Sequence, residues 1–194
     1  MKIAITGGIG SGKSAAADVV RKMGFKVASC DDTYARLCGE QMFLKELKKL
    51  FPSAVHGIPL RLDRRALAEE IFADEKRRSE LDAFTHPRIM AAMETETAGE
   101  KIAFYEVPLL FESGLKHHFD EVIVVLREKD ARVKSVMKRS NLTEEQIAAR
   151  MTAQIDYETY DFGGCRILKN DGDLAALEEK TRALIEALTA GAAV

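Results

Sequence analysis

Apolar and polar positions along this chain follow two rhythms. Short apolar runs at Lys2–Thr6, Phe25–Ser29, Lys101–Val107 and Glu121–Leu126 read as strands, with a weaker fifth at Arg166–Leu168. The first and fourth are almost continuously apolar, the pattern of strands covered on both faces. Between them apolar residues recur every three or four positions. Ser14–Met23 carries Ala15, Ala16, Val19, Val20 and Met23 on one predicted helical face, and Gly24 follows as a stop. Leu174–Leu188 repeats the pattern with Leu174, Leu177, Leu184, Ile185 and Leu188, after the turn signal Asn170-Asp171-Gly172. Strands separated by helices predict an α/β domain around a five-stranded parallel sheet.

Two stretches break the alternation. Asp32 to Gly99 shows no convincing strand. It reads as helices at Phe43–Leu50, Ala66–Phe72 with Asp63 as N-cap, Glu75–Ala83, and Ile89–Thr97, the last entered through His86-Pro87. A second helical excursion runs from about Asp130 to Asp156, and Thr143-Glu144-Glu145-Gln146 is a capping box opening its second helix. Helical inserts beside a parallel sheet are natural places for a substrate site and a lid.

The chain of 194 residues carries 29 Lys+Arg against 31 Asp+Glu, a net charge of −2. No global basic field is present to attract DNA or RNA, and no nucleic-acid partner is expected. Cys30, Cys38 and Cys165 form an odd set without a C-x-x-C pair, which reads as reduced and cytoplasmic. The apolar N-terminal run is too short for a signal peptide, and no stretch approaches a membrane span. Asn141-Leu142-Thr143 matches a glycosylation sequon and reads as an accident in a chain that is not secreted.

Gly7-Gly8-Ile9-Gly10-Ser11-Gly12-Lys13-Ser14 fits G-x-x-x-x-G-K-[ST] in full, directly after the first strand and at the start of the first helix. Glycines allow positive φ and let backbone curl around a triphosphate. Successive N–H groups and the helix N-terminus supply anion donors. Lys13 reaches the β- and γ-phosphates, and the Ser14 hydroxyl can ligate Mg²⁺. Binding of ATP or GTP is the firmest conclusion from the residues alone.

In an open parallel sheet, ligands sit beyond the carboxyl ends of the strands. Asp31 and Asp32 follow the second strand, and Glu106 lies near the end of the third. A kinase needs one carboxylate to orient and deprotonate the acceptor hydroxyl, and others to hold Mg²⁺ directly or through water. The competing readings are an N-cap for the Asp pair and a structural carboxylate for Glu106. Arg132, Lys134, Lys138, Arg139 and Arg150 crowd the second excursion, where an arginine could neutralise the transferring phosphoryl group. Spacing alone does not choose among them, and a solvated basic face is the competing reading. Asp161-Phe162-Gly163 copies a protein-kinase tripeptide without the catalytic loop that gives it meaning. His117-His118 reads as an exposed loop pair.

Together these segments resemble the dephospho-coenzyme A kinases, which catalyse the last step of coenzyme A synthesis. The resemblance rests on Ile5-Thr6 with the phosphate loop, Asp32 with Ala35-Arg36, and Leu62-Asp63-Arg64 with Phe72. It continues through His86-Pro87, Val107-Pro108-Leu109-Leu110-Phe111-Glu112, Arg139, Arg150, Gln154 and Asn170-Asp171-Gly172. It spans about residues 2–194 and implies a P-loop kinase core from 1–31, 100–129 and 157–194. It also implies a helical coenzyme-binding insertion over 32–99 and a lid over about 130–156. The implied reaction moves the γ-phosphate of ATP, with Mg²⁺, to the ribose 3′-hydroxyl of dephospho-coenzyme A. Asp32 matches the catalytic aspartate, and Arg139 and Arg150 match the lid arginines. Lys13 acts with them, and Gly8, Gly10, Ser11, Gly12, Ser14 and Ala15 hold ATP, with Asn170 near its adenine. His86, Glu106 and Glu112, with Asp32, are candidate substrate contacts. Three positions depart from the family pattern: Cys30 in place of an acid, Ala15 in place of a hydroxyl residue, and Glu106 where aspartate is common. The expected protein is a cytoplasmic monomer or weak homo-oligomer. The alternatives are another P-loop small-molecule kinase, such as a nucleoside monophosphate kinase, or a non-catalytic nucleotide-binding protein.

Overall fold

The computed structural model describes residues 1–140 and 142–190, so Asn141 of the sequon lies outside the described residues. The chain divides into two compact units, one formed by Met1–Ala28 with the chain from Gly99 onward, the other by Ser29–Ala98.

The first unit is built on strands β1 (Lys2–Thr6), β2 (Lys26–Ser29), β5 (Ala103–Glu106), β6 (Glu121–Leu126) and β7 (Arg166–Lys169), ordered β2-β5-β1-β6-β7. β1 pairs in parallel with β5 and β6, and β6 with β7. The central strand must shed water on both faces, which explains its apolar run. Helix α1 (Lys13–Lys22) lays Ala16, Ala17 and Val20 against Ile3, Phe104 and Ile123. Gly24 at φ +90° ends it, with its N–H donating to the Arg21 carbonyl. Helix α8 (Leu174–Thr189) packs beside α1 through Leu177 and Ile185, and Asp173 caps it. Helices α6 (Lys129–Arg139) and α7 (Glu144–Thr152) carry the second excursion. The capping box at Thr143 and Gln146 forms in full.

The second unit holds α2 (Cys30–Leu37), α3 (Gln41–Leu50), β3 (Val55–His56), β4 (Arg61–Leu62), α4 (Arg64–Ala73) and α5 (Glu75–Glu96). Asp63 caps α4 through the Arg65 and Ala66 N–H groups. Three expectations are corrected here. β3 and β4 form a small antiparallel ladder in a stretch that read as strandless, because two-residue strands carry no alternation to detect. The cap of α2 is Ser29, whose Oγ accepts from the Asp32 N–H at 3.3 Å; Asp31 and Asp32 occupy the first turn. Pro87 does not open a helix but lies inside α5, which runs unbroken for 22 residues. An interior proline costs about 3 kcal/mol. The buried stripe Leu81, Phe84, Ile89, Met90 and Met93 crosses it and packs on α2, α3 and α4, which offsets that cost. Beside the proline, the Arg88 guanidinium donates to the Phe84 carbonyl at 2.7 Å. Among the described residues, no helix is long and apolar enough to cross a membrane.

Candidate active site

The phosphate loop leaves β1 at the fully buried Thr6 and runs into α1. Gly10 and Gly12 show why geometry requires glycine in this loop. Gly10 has φ +77°, and a Cβ there would stand 2.5 Å from the Arg132 carbonyl oxygen. Gly12 has φ +101°, and its Cβ would stand 2.5 Å from Asn170 Nδ2. Gly12 occupies the N-cap of α1 without a side-chain cap. The first N–H groups of a helix have no intrahelical acceptor, so this end of α1 is left as an anion cradle. The Ile9 N–H is already taken, donating to Gln154 Oε1 at 2.8 Å.

Ser14 and Glu106 are brought together. The Ser14 hydroxyl donates to Glu106 Oε1 at 2.6 Å, and Arg21 Nη2 lies 4.0 Å from Oε2. Glu106 ends β5 in register with Ile5 and is 8% exposed. A bond this short, from a hydroxyl to a buried carboxylate, is charge-assisted. The hydroxyl and carboxylate oxygens are hard donors suited to Mg²⁺, which takes one or two protein ligands and fills its octahedron with phosphates and water. Among the described residues no group of three His, Cys, Asp or Glu gathers as a larger cation cage.

Asn170 is 7% exposed and braces the loop, its Nδ2 donating to the Ser11 carbonyl at 2.7 Å. It also lines a cavity of about 500 Å³ with Leu126, Arg127, Ala131, Lys169 and Gly172. Glu112 Oε1 accepts from the Ile155 N–H at 2.9 Å, while its Oε2 is buried without a partner. Gln154 and Ile155 thus tie the segment after α7 to the phosphate loop and to the loop after β5. Tyr157, which the sequence did not single out, is 6% exposed and touches the Gly8 position. Burial, followed by the nearby Glu112 charge, pushes its hydroxyl pKa up, so it stays protonated. Arg139 and Arg150 are exposed, and neither forms an ion pair among the described residues. Arg132 is instead buried against the loop. Ala15 follows the loop on α1 without a hydroxyl.

In the second unit, Asp32 presents an exposed carboxylate from the first turn of α2. His86 Nε2 lies 3.7 Å from Asp82 Oδ1, one turn away on α5. The decoys have local explanations. Asp161 accepts from the Gly163 N–H at 2.9 Å, and Phe162 packs on Phe111 with ring centroids 5.4 Å apart. His117 and His118 are exposed.

Comparison with known proteins adds an independent line. A family model described as dephospho-CoA kinase matches residues 1–176. The chain is 39% identical over 192 residues to a protein of Thermus thermophilus named dephospho-CoA kinase, covering 98% of this chain and 93% of that one. A solved dephospho-CoA kinase from Campylobacter jejuni superposes with a TM-score of 0.72 at 29% identity, over 98% of this chain and 99% of the other. A shikimate kinase from Bacteroides thetaiotaomicron, at 11% identity and TM-score 0.54 over 97% and 98%, shares the fold.

Proposed function

We infer the reaction from one premise: this chain belongs to the dephospho-CoA kinase family. As a kinase of that family it transfers the γ-phosphoryl group of ATP to the ribose 3′-hydroxyl of dephospho-coenzyme A, yielding coenzyme A and ADP. The observation that carries the mechanism is the Ser14–Glu106 pair beside the phosphate loop.

The division of labour follows from the chemistry. Lys13 and the amides of the loop and of the α1 N-terminus hold the phosphates. Ser14 and Glu106 would hold Mg²⁺, which would supply charge neutralisation to the nucleotide phosphates. Asp32 accepts the 3′-hydroxyl proton as the ribose oxygen bonds to phosphorus, and the bond from γ-phosphorus to the bridging oxygen breaks toward ADP. Arg139 and Arg150, on the helices proposed as a lid, supply cations to the equatorial oxygens of the transferring group. Closure would also exclude water and limit idle hydrolysis. The cavity lined by Asn170 takes the adenine of ATP. Residues 32–99 are assigned to coenzyme binding, with His86 in that unit. A cytoplasmic monomer or weak homo-oligomer fits three free cysteines and the finding that, among the described residues, no helix is long and apolar enough to cross a membrane.

The test is ADP release with Mg²⁺-ATP in the presence of dephospho-coenzyme A, AMP, CMP, UMP or no acceptor. Release dependent on dephospho-coenzyme A, with a 3′-phosphorylated product, is expected. Turnover with a nucleoside monophosphate alone would move the protein to that kinase class. Silence with every acceptor would leave only nucleotide binding.

A further inference from the structure

Arg132 is 4% exposed, and its Nε is buried without a hydrogen-bond partner. Its guanidinium forms no ion pair among the described residues. Asp156, which shares a cavity wall with it, spends its carboxylate on the Glu158 N–H at 3.0 Å and the Thr159 hydroxyl at 2.9 Å. The Glu128 and Asp156 carboxylates act on it only through space, both exposed and both hydrogen-bonded to backbone N–H groups, so the buried guanidinium keeps capacity to bond an anion. Its position says which. Nη1 stands where a side chain on Gly8 would project, and the Arg132 carbonyl crowds Gly10. The other limb of the loop, at Ser11 and Gly12, is held by Asn170 beside the cavity assigned to adenine. A nucleotide with its base on the Asn170 side runs its phosphates toward the Gly8 limb. Arg132 also lines a cavity of about 640 Å³ between α6 and α7, with Lys134, Gln154 and Tyr157.

We propose that Arg132 is a further phosphate-binding residue, whose buried guanidinium meets the terminal phosphoryl group of the bound nucleoside triphosphate. The assignment rests on the reading of ATP as phosphoryl donor. It also accounts for the two glycines at this limb, since a side chain at Gly8 would displace the guanidinium. Arg132 shares α6 with Arg139 but differs from Arg139 and Arg150 in burial: it already lies against the loop, whereas they are exposed.

The experiment compares Mg²⁺-ATP and Mg²⁺-ADP affinities by titration calorimetry for the wild type, R132Q and R132K, with folding checked by circular dichroism. R132Q is expected to weaken ATP about 10- to 100-fold and ADP less than about threefold, because the lost charge-assisted bond exists only with the third phosphate. R132K, which keeps the charge but not the fork, should fall between. A parallel loss of ATP and ADP affinity would make Arg132 a brace of the loop and overturn the proposal, as would unchanged ATP affinity. If R132Q does not fold, the ATP-to-ADP ratio of R132K decides, and a wild-type ratio overturns the proposal. Wild-type protein tests the donor reading separately: failure to bind ATP refutes that reading and this assignment with it, whereas normal wild-type binding isolates Arg132.

Discussion

Replacing Gly12 with alanine tests the architecture of the loop in a way that can be worked from two observations. The backbone there sits at φ +101° and ψ 13°, which costs a residue with a Cβ about 1–3 kcal/mol. The added Cβ would also stand 2.5 Å from Asn170 Nδ2 and 3.3 Å from Leu177 Cδ2. Asn170 would have to withdraw, giving up its 2.7 Å bond to the Ser11 carbonyl inside a site where it is 7% exposed. Leaving that buried amide unsatisfied costs about 1–3 kcal/mol more. The sum, about 2–6 kcal/mol, is a large part of the 5–15 kcal/mol typical of a domain. Urea unfolding of the wild type, G12A, N170A and the double variant reads it directly. In the N170A background the Cβ meets no carboxamide, so the dihedral cost and the contact with Leu177 Cδ2 should remain, and the cycle should show about 1–3 kcal/mol of coupling. A G12A cost below about 0.5 kcal/mol, or a cycle additive within about 0.5 kcal/mol, would refute the reasoning.

The same geometry makes further expectations. E106Q keeps an acceptor for the Ser14 hydroxyl but removes the charge proposed to hold Mg²⁺, so the Mg²⁺ concentration at half-maximal rate should rise about 10- to 100-fold; a rate curve against free Mg²⁺ that overlays the wild type rejects the role. D32N should lower turnover by about 10²–10⁴ while retaining ATP affinity, and near-normal turnover would remove Asp32 as the base. Asp63 is held below the ordinary carboxylate range by the Ala66 N–H foremost and the Arg65 N–H with it. A folded pKa below the unfolded one stabilises fully above about pH 4 and loses that contribution as pH falls through the folded value. The acid limb of a melting-temperature profile should therefore flatten in D63N, because asparagine caps without titrating; an unchanged limb would show that other carboxylates carry it.

What could be read from the sequence divides along a physical line. The phosphate loop was legible because its work is done by backbone, and backbone that must curl between a strand and a helix demands glycine at fixed offsets. The same holds for the capping box at Thr143 and the cap at Asp63, where the partner is two or three residues away. Ser14 and Glu106 are 92 residues apart. Glu106 could be placed at a strand end and Ser14 at the start of the first helix, but their bond exists only because β1 and β5 pair in register. Pro87 misled because a local rule was applied where a non-local one decided. The apolar stripe from Leu81 to Met93 keeps helical spacing straight across it, and packing on three helices outweighs the lost hydrogen bond. The arginines show where such reading stops. Five basic residues crowd one excursion, and the sequence reading did not distinguish the one buried against Gly8 from those left exposed. What separates Arg132 is the fold around it: α6 lies close enough to the loop for its carbonyl to crowd Gly10, so a long side chain one helical face inward has nowhere to go but under the loop. The phosphate-binding role proposed for that buried charge makes the difference between ATP and ADP binding the quantity that exposes it.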